Sequence, residues 1–338
     1  MSSDKILITG GAGYLGCVLV QKLLELKKLS NSVNQWKEPT DESDTQNYTW
    51  DTITIVDNLM YSQSPLVSYC YREDFNFLVQ DVTDHEKLLP LIKEADVIIP
   101  LAALVGFPAC EKNKREATLI NHEHVKFICE NKKPDAKILY PNTNSGYGIG
   151  DKDEFCTEET PLLPISHYGR TKCAAEKDVL AVGGVAFRLA TVFGVSPRMR
   201  LDLLVNDFTY KAYNDSYIVL FEHEFRRNFI HVQDVALTFI RGICNYSSMS
   251  GEAYNVGLSD ANINKLQLAE EIKKFVPNFS INFDEIQSDP DKRDYIVSNK
   301  KLEDTGWKPR YSLQSGIVEI LKALPILQKQ LHTFTNLS

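Results

Sequence analysis

The chain has 338 residues, 43% of them apolar and 24% charged, with a net charge of −8. That length and apolar content support a full core in one large domain or two modest ones. The acidic balance excludes the basic footprint of a nucleic-acid surface, and no like-charge run is long enough for a basic arm or acidic tail.

The first element is Lys5-Ile-Leu-Ile-Thr9, a short apolar strand that runs into Gly10-Gly-Ala-Gly13-Tyr14-Leu15-Gly16. Residues 17–26 then carry apolar residues at helical spacing. Residues 29–50 are rich in Ser, Asn, Asp, Thr and Gln without apolar periodicity, so they read as a polar surface insertion. Further strands are expected at 52–56, ending on Asp57, and at 75–79, 97–101, 137–140 and 184–188, with helical segments between them. Alternation of β and α predicts an α/β, Rossmann-type doubly wound parallel sheet.

Beyond about residue 193 the alternation fades. Residues 199–208 read as a helix, 228–232 and 253–257 as short strands, and 266–275 as an amphipathic helix. The expected division is 1–192 plus about 228–257 for dinucleotide binding. A smaller mixed α/β region, 193–227 plus about 258–338, is expected to bind substrate.

Seven cysteines form no CxxC pair and no Cys/His cluster, which fits the buried, reduced thiols of an intracellular protein. His122 and His124 are two apart, and on a helix that spacing points them in different directions, so no metal site is expected. The longest apolar run, 95–110, is interrupted by Asp96, Pro100, Gly106 and Pro108 and is too short to span a membrane. The N-terminus carries no signal peptide. The expectation is a cytoplasmic protein without membrane or nucleic-acid partners.

GxxGxxG is weak evidence by itself, but here it follows a strand and opens a helix. Gly10, Gly13 and Gly16 permit a tight turn, close approach of backbone to a pyrophosphate, and close helix–strand packing. The helix N-terminus adds free N–H groups and positive potential. Asp57 ends the second strand, where a carboxylate can bind the adenosine ribose. It stands about twice as far from the glycines as is usual, and the insertion accounts for the excess. A carboxylate there repels a 2′-phosphate, and no Arg or Lys follows it in 58–62, so NAD is favoured over NADP.

Tyr168 and Lys172 form a YxxxK pair that shares one helix face. A neighbouring ammonium and a nicotinamide positive charge would lower the phenol pKa from ~10 and make Tyr168 a general base. The pair gains weight from its position between the fifth and sixth strands.

Taken in order, TGGAGYLG, Asp57, Asp81-Val82, Leu101-Ala-Ala, Asn121, Thr143-Asn-Ser-Gly-Tyr-Gly148 and Tyr168/Lys172 resemble the extended short-chain dehydrogenase/reductases. More narrowly, the chain resembles the NAD-dependent nucleotide-sugar epimerase/dehydratase group over nearly its whole length, including Arg227-Asn-Phe-Ile-His-Val, Tyr254-Asn-Val-Gly and Gly306-Trp-Lys-Pro. The resemblance implies that Gly10, Gly13, Tyr14, Leu15 and Gly16 surround the NAD pyrophosphate. Asp57 and Asn58 would hold the adenosine ribose, Asp81 and Val82 would flank the adenine, and Leu101, Ala102 and Ala103 would line the cofactor groove. Tyr168 is implied as the base. Lys172 would hold both Tyr168 and the nicotinamide ribose, and Thr143 supplies the catalytic hydroxyl.

Arg227, Arg293 and Arg200 are implied to bind the nucleotide-sugar substrate, Arg227 and Arg293 at its diphosphate. Asn144 and Ser145 would contact the substrate beside Thr143. Thr191 stands where the family often has Asn. By analogy a homodimer is implied.

The shared first step in such a family is oxidation at a sugar carbon, usually C4. The 4-keto sugar is then reduced from the other face, dehydrated, or released. The 4,6-dehydratases carry Thr-Asp-Glu at the turn, whereas this chain has Thr143-Asn144-Ser145. An amide and a hydroxyl cannot perform that acid/base elimination near neutral pH, so dehydration is disfavoured. Epimerase and C4 dehydrogenase remain. The runs 101–110, 141–148 and 191–202 resemble most closely enzymes that oxidise C4 of GDP-linked heptoses in surface-polysaccharide pathways. A dinucleotide-binding regulator without chemistry would be favoured by loss of Tyr168 or Lys172, and both are present. A reductase of small carbonyls would have no use for diphosphate-gripping arginines.

Overall fold

The computed structural model describes residues 4–31, 49–61, 64–151, 154–284 and 293–327. Most of the expected polar insertion, 32–48, lies outside the described residues.

Seven parallel strands form the central sheet: β1 (Asp4–Thr9), β2 (Trp50–Asp57), β3 (Phe75–Val79), β4 (Val97–Pro100), β5 (Lys137–Thr143), β6 (Val185–Leu189) and β7 (Ala253–Val256). Their spatial order is β7-β6-β5-β4-β1-β2-β3. Side chains alternate between faces along each strand. Ile6 and Ile8 enter one core, while Leu7 enters the other. Because both faces are covered, the strands read as near-continuous apolar runs.

The flanking helices are α1 (Tyr14–Asn31), α2 (His85–Glu94), α3 (His124–Asn131) and α4 (His167–Ala181), followed by α5 (Leu204–Asn214), α6 (Val232–Cys244), α7 (Lys265–Lys273) and α8 (Leu313–Leu327). Leu88 and Ile92 of α2, Val125 and Ile128 of α3, and Ala175 and Val179 of α4 cover one face. Helices α1 and α6 pack together on the other. The strand order reverses between β1 and β4. A doubly wound sheet opens its ligand crevice at such a point, beyond the carboxyl ends of the strands.

The strand Arg226–His231 lies outside the central sheet. It pairs in parallel with Thr191–Phe193 and antiparallel with Asn262–Asn264. A parallel pair, Tyr217–Leu220 with Ser280–Phe283, completes the smaller region. The helix expected from Met199 begins five residues later, at Leu204. Asn206 Nδ2 donates to the Arg200 carbonyl (2.8 Å), and Leu203 is extended as the helix N-cap. Residues 199–203 are thereby kept as a connecting segment instead of a first helical turn.

Candidate active site

The carboxyl ends of β1, β4, β5 and β6 and the smaller region enclose a cleft of about 570 Å³. At one end lies the glycine turn. Gly10 has φ +71°, and a Cβ there would meet the Ala102 backbone nitrogen at 2.5 Å. A Cβ on Gly16 would come within 2.6 Å of Gly11 backbone. The turn can therefore adopt its path only with glycine at these positions. The first turn of α1 faces the same space with its unpaired N–H groups.

Asp57 receives the Ala12 N–H (3.0 Å) on one carboxylate oxygen and the Leu59 N–H (2.9 Å) on the other. Burial raises its pKa, against the pull of these two N–H groups. Beside it, Asn58 Nδ2 donates to Asp81 (3.1 Å). Burial raises the Asp81 pKa, but hydrogen bonds from Thr83 and Asn58 outweigh it and hold the carboxyl below its usual value. Val82, Leu101, Ala102 and Ala103 line the next stretch of wall. Tyr14 sends its hydroxyl to the Gly194 carbonyl (2.6 Å), so it ties the glycine turn to the smaller region.

At the other end stand Thr143, Ser145, Tyr168 and Lys172. Thr143 caps the short turn Asn144–Tyr147: its Oγ1 accepts the Ser145 N–H (3.1 Å) and donates to Ser145 Oγ (2.9 Å). The turn is held from behind by a buried network. Asn142 donates to Glu176, and Arg188 grips that carboxylate with Nε and Nη2 (2.7–3.2 Å). Arg188 Nη1 also donates to the Tyr147 hydroxyl (3.0 Å), which reaches Asn255 Oδ1 on β7 (2.7 Å).

Tyr168 is half-buried on α4, and Lys172 is buried one turn on, its Nζ 4.1 Å from the Tyr140 ring centroid. Burial pushes the Tyr168 phenol up to about 12, opposed by the charges of Arg200 and Arg293. Burial brings the Lys172 ammonium down to about 7.

Arg200, Arg227 and Arg293 all reach the cleft, as does Thr191. Arg200 is paired with Asp202. Arg227 packs over the Tyr295 ring (5.6 Å) and donates to the Arg226 carbonyl (2.8 Å). Arg293 donates to Ser145 Oγ, which places it at the catalytic turn. Asn144 departs from expectation. It is 1% exposed and does not line the cleft, because the turn capped by Thr143 directs it into the interior. Two further cations, Arg198 and Lys265, line the cleft and belong to none of the sequence motifs. Arg198 could have been found from its place two residues before Arg200 in one non-helical run. Lys265 had no signal, because the first residue of an amphipathic helix is ordinarily solvated.

Metal ligation is not supported by the two histidines. His122 Nε2 meets Asp178 (2.9 Å) and His124 Nε2 meets Thr9 (3.0 Å), so they diverge as expected. Among the described residues no group of three His, Cys, Asp or Glu could hold a metal, and no helix is long and apolar enough to cross a membrane.

The NAD dependent epimerase/dehydratase family model matches residues 6–257. The chain belongs to this family. NAD is its cofactor, and the glycine turn with Asp57 at the end of β2 fits that molecule. The enzyme is 26% identical to the low-salt glycan biosynthesis protein Agl12 of Haloferax volcanii, across 92% of this chain and 96% of that one. It is 24% identical to a dTDP-D-glucose 4,6-dehydratase of Mus musculus, across 99% and 91% of the two chains. The structure of a UDP-glucose 4-epimerase from Thermotoga maritima superposes with a TM-score of 0.76 at 21% identity, covering 96% of the enzyme and 99% of that chain. The fold is shared across both activities, so the reaction must be argued from the site.

Proposed function

We propose that the enzyme oxidises C4 of a nucleotide-linked sugar, with a GDP-linked heptose or hexose favoured, in the synthesis of a surface polysaccharide. NAD, when bound, supplies the hydride acceptor and a positive charge beside Tyr168. Tyr168 takes the C4 hydroxyl proton, Lys172 steadies the phenolate, and Thr143 Oγ1 holds the same sugar hydroxyl. Arg227 and Arg293 grip the diphosphate, where planar guanidinium groups suit phosphate oxygens, and Arg200 binds the sugar nucleotide beside them. Thr191 and Ser145 complete the sugar's surroundings. The preference for a GDP-heptose rests on the residue runs 101–110, 141–148 and 191–202.

One observation carries the choice of reaction. The carboxylates lining the cleft among the described residues are Asp57, Asp81 and Asp202. The first two stand at the glycine-turn end, and the third is paired with Arg200. At the reacting end, the positions that would need acids for elimination hold the buried Asn144 and a Ser145 engaged by Thr143 and Arg293. The 4-keto sugar therefore has no acid/base pair to drive loss of its C6 hydroxyl. The same absence leaves a 4-epimerase as a second reading, because returning the hydride to the opposite face needs only Tyr168 and Lys172.

The test is incubation with GDP-, UDP-, dTDP- and CDP-sugars, with products resolved by NMR. A 4-ketone that retains its C6 hydroxyl, or a C4 epimer, is expected. A 6-deoxy-4-keto product would overturn the assignment.

A further inference from the structure

Arg227 and Arg293, the proposed diphosphate ligands, come from segments distant in the chain. Two guanidinium groups serve one diphosphate only when they are held in register with each other. Each of these arginines stands next to one member of an ion pair. The Arg226 backbone N–H (2.9 Å) and Nε (3.1 Å) both donate to Asp294 Oδ1, and Arg226 Nη2 donates to Oδ2 (3.4 Å). The backbone contact sets this pair apart from an ordinary surface ion pair, which joins only two long side chains. Burial raises the Asp294 pKa, but the Arg226 hydrogen bonds and the charges of Arg226 and Arg227 outweigh it and hold the carboxyl below its usual value. The Asp294 carbonyl accepts the Gly150 N–H (2.8 Å), just past the catalytic turn. The neighbours of Asp294 complete the link. Arg293 donates to Ser145 Oγ in that turn. Tyr295, 3% exposed, packs under Arg227 (5.6 Å from Cζ to the ring centroid) and edge-on against Tyr147 of the same turn (6.3 Å between centroids). Arg227 and Arg293 line the cleft, whereas Arg226 and Asp294 stand outside its lining.

We propose that Asp294 is a positioning residue for the substrate diphosphate: its bonds to the Arg226 main chain and guanidinium set the spacing between Arg227 and Arg293. This rests on the reading of those two arginines as diphosphate ligands. Asp294 itself touches no substrate and acts through its neighbours. The segment 293–295 also ties the diphosphate grip to the turn that Thr143 caps. A nucleotide sugar held by its diphosphate then presents its sugar at a fixed reach from Thr143 and Tyr168.

The experiment is isothermal titration calorimetry on the full chain, with GDP, UDP, dTDP and CDP titrated into the NAD-bound enzyme and the tightest of the four used as the probe. NAD is titrated separately into NAD-depleted enzyme. Asp294→Asn keeps the side chain's shape and removes its charge. It should weaken the probe roughly 10-fold, about the worth of one charged hydrogen bond, and leave NAD affinity as it was. Asp294→Glu should recover part of the loss. In an Arg227→Gln or Arg293→Gln background the cost of Asp294→Asn should shrink to roughly threefold or less, because a residue that acts through others is not additive with them. A merely structural role would cost the same in every background and would weaken NAD as well. If Asp294→Asn does not fold, Arg226→Gln carries the test, since it keeps the backbone N–H and should give a smaller loss of the same kind. Unchanged probe affinity in a folded Asp294→Asn, equal losses in all backgrounds, or a loss shared with NAD would overturn the proposal. Probe affinity unchanged in both Arg227→Gln and Arg293→Gln, or no binding of any of the four to the parent, would instead overturn the diphosphate reading on which the proposal rests.

Discussion

At the residue scale, the pair Tyr168 and Lys172 is poised by desolvation more than by mutual attraction. Burial lifts the phenol to about 12 and lowers the ammonium to about 7, so each group is biased toward its neutral form. Arg200 and Arg293 pull Tyr168 the other way. A positive nicotinamide ring adds to that pull, which makes base strength conditional on the cofactor. Tyr168→Phe removes the acid/base group and little else. Turnover should fall by roughly 100- to 10,000-fold, the usual contribution of a positioned acid/base, while NAD affinity stays within about twofold by calorimetry. Retained turnover would remove Tyr168 from the mechanism.

At the scale of elements, the helix before α3 matters to that pair. Residues Leu119–Glu123 form a π turn, which swells the helix by one residue, and π turns often accompany functional sites. The swelling turns Asn121 inward, where its side chain accepts the Leu104 N–H (2.8 Å) and donates to the Leu104 carbonyl (2.9 Å). Leu104, Cys110 and Ala117 then pack against Tyr168. Asn121→Ala leaves the buried Leu104 N–H unpaired and its carbonyl with only the weak Cys110 thiol donor (3.1 Å). The expected cost is about 1–3 kcal/mol in urea unfolding, together with a lower kcat from a loosened Tyr168 wall. A variant as stable and as active as the parent would show that the clasp has no role.

At the scale of the whole molecule, His124 joins α3 to β1 through Thr9 and is fully buried. Burial lowers its pKa to about 3, so the folded enzyme keeps it neutral while the unfolded chain protonates it near ~6.5. The stability tied to neutral His124 is complete above that value. It is lost as pH falls toward 3, at about 1.4 kcal/mol per pH unit for one proton. Asp234 acts in the opposite sense. Burial raises its pKa to about 6, so its contribution is full below the unfolded value of ~3.9 and fades as pH rises through 6. Comparing the enzyme with His124→Leu cancels the Asp234 contribution. The difference in unfolding free energy should tilt toward the variant as pH drops from 6.5 to about 3. A difference independent of pH would show that His124 does not resist protonation.

Local chemistry was legible because it repeats at short range. The apolar runs, the glycine turn, Asp57 at a strand end and the Tyr168/Lys172 spacing each depend on a few neighbouring residues, and they were enough to predict a parallel doubly wound sheet and its cofactor. The tertiary structure decided what depends on distant partners. Asn144 and Ser145 are adjacent polar residues in one turn, yet the cap by Thr143 buries one and hands the other to Arg293, nearly 150 positions away. Met199 begins an apparent helix that Asn206 postpones by taking the Arg200 carbonyl. The strand Arg226–His231 joined a separate sheet because its partners, Thr191–Phe193 and Asn262–Asn264, come from both sides of it in the chain. Ser196 acquires its place from the Tyr14 carbonyl and Arg198 from the Tyr61 ring, contacts that exist only once the smaller region folds over the glycine turn. Periodicity records which side of an element is apolar. It holds no record of which remote side chain will meet the polar groups on the other side.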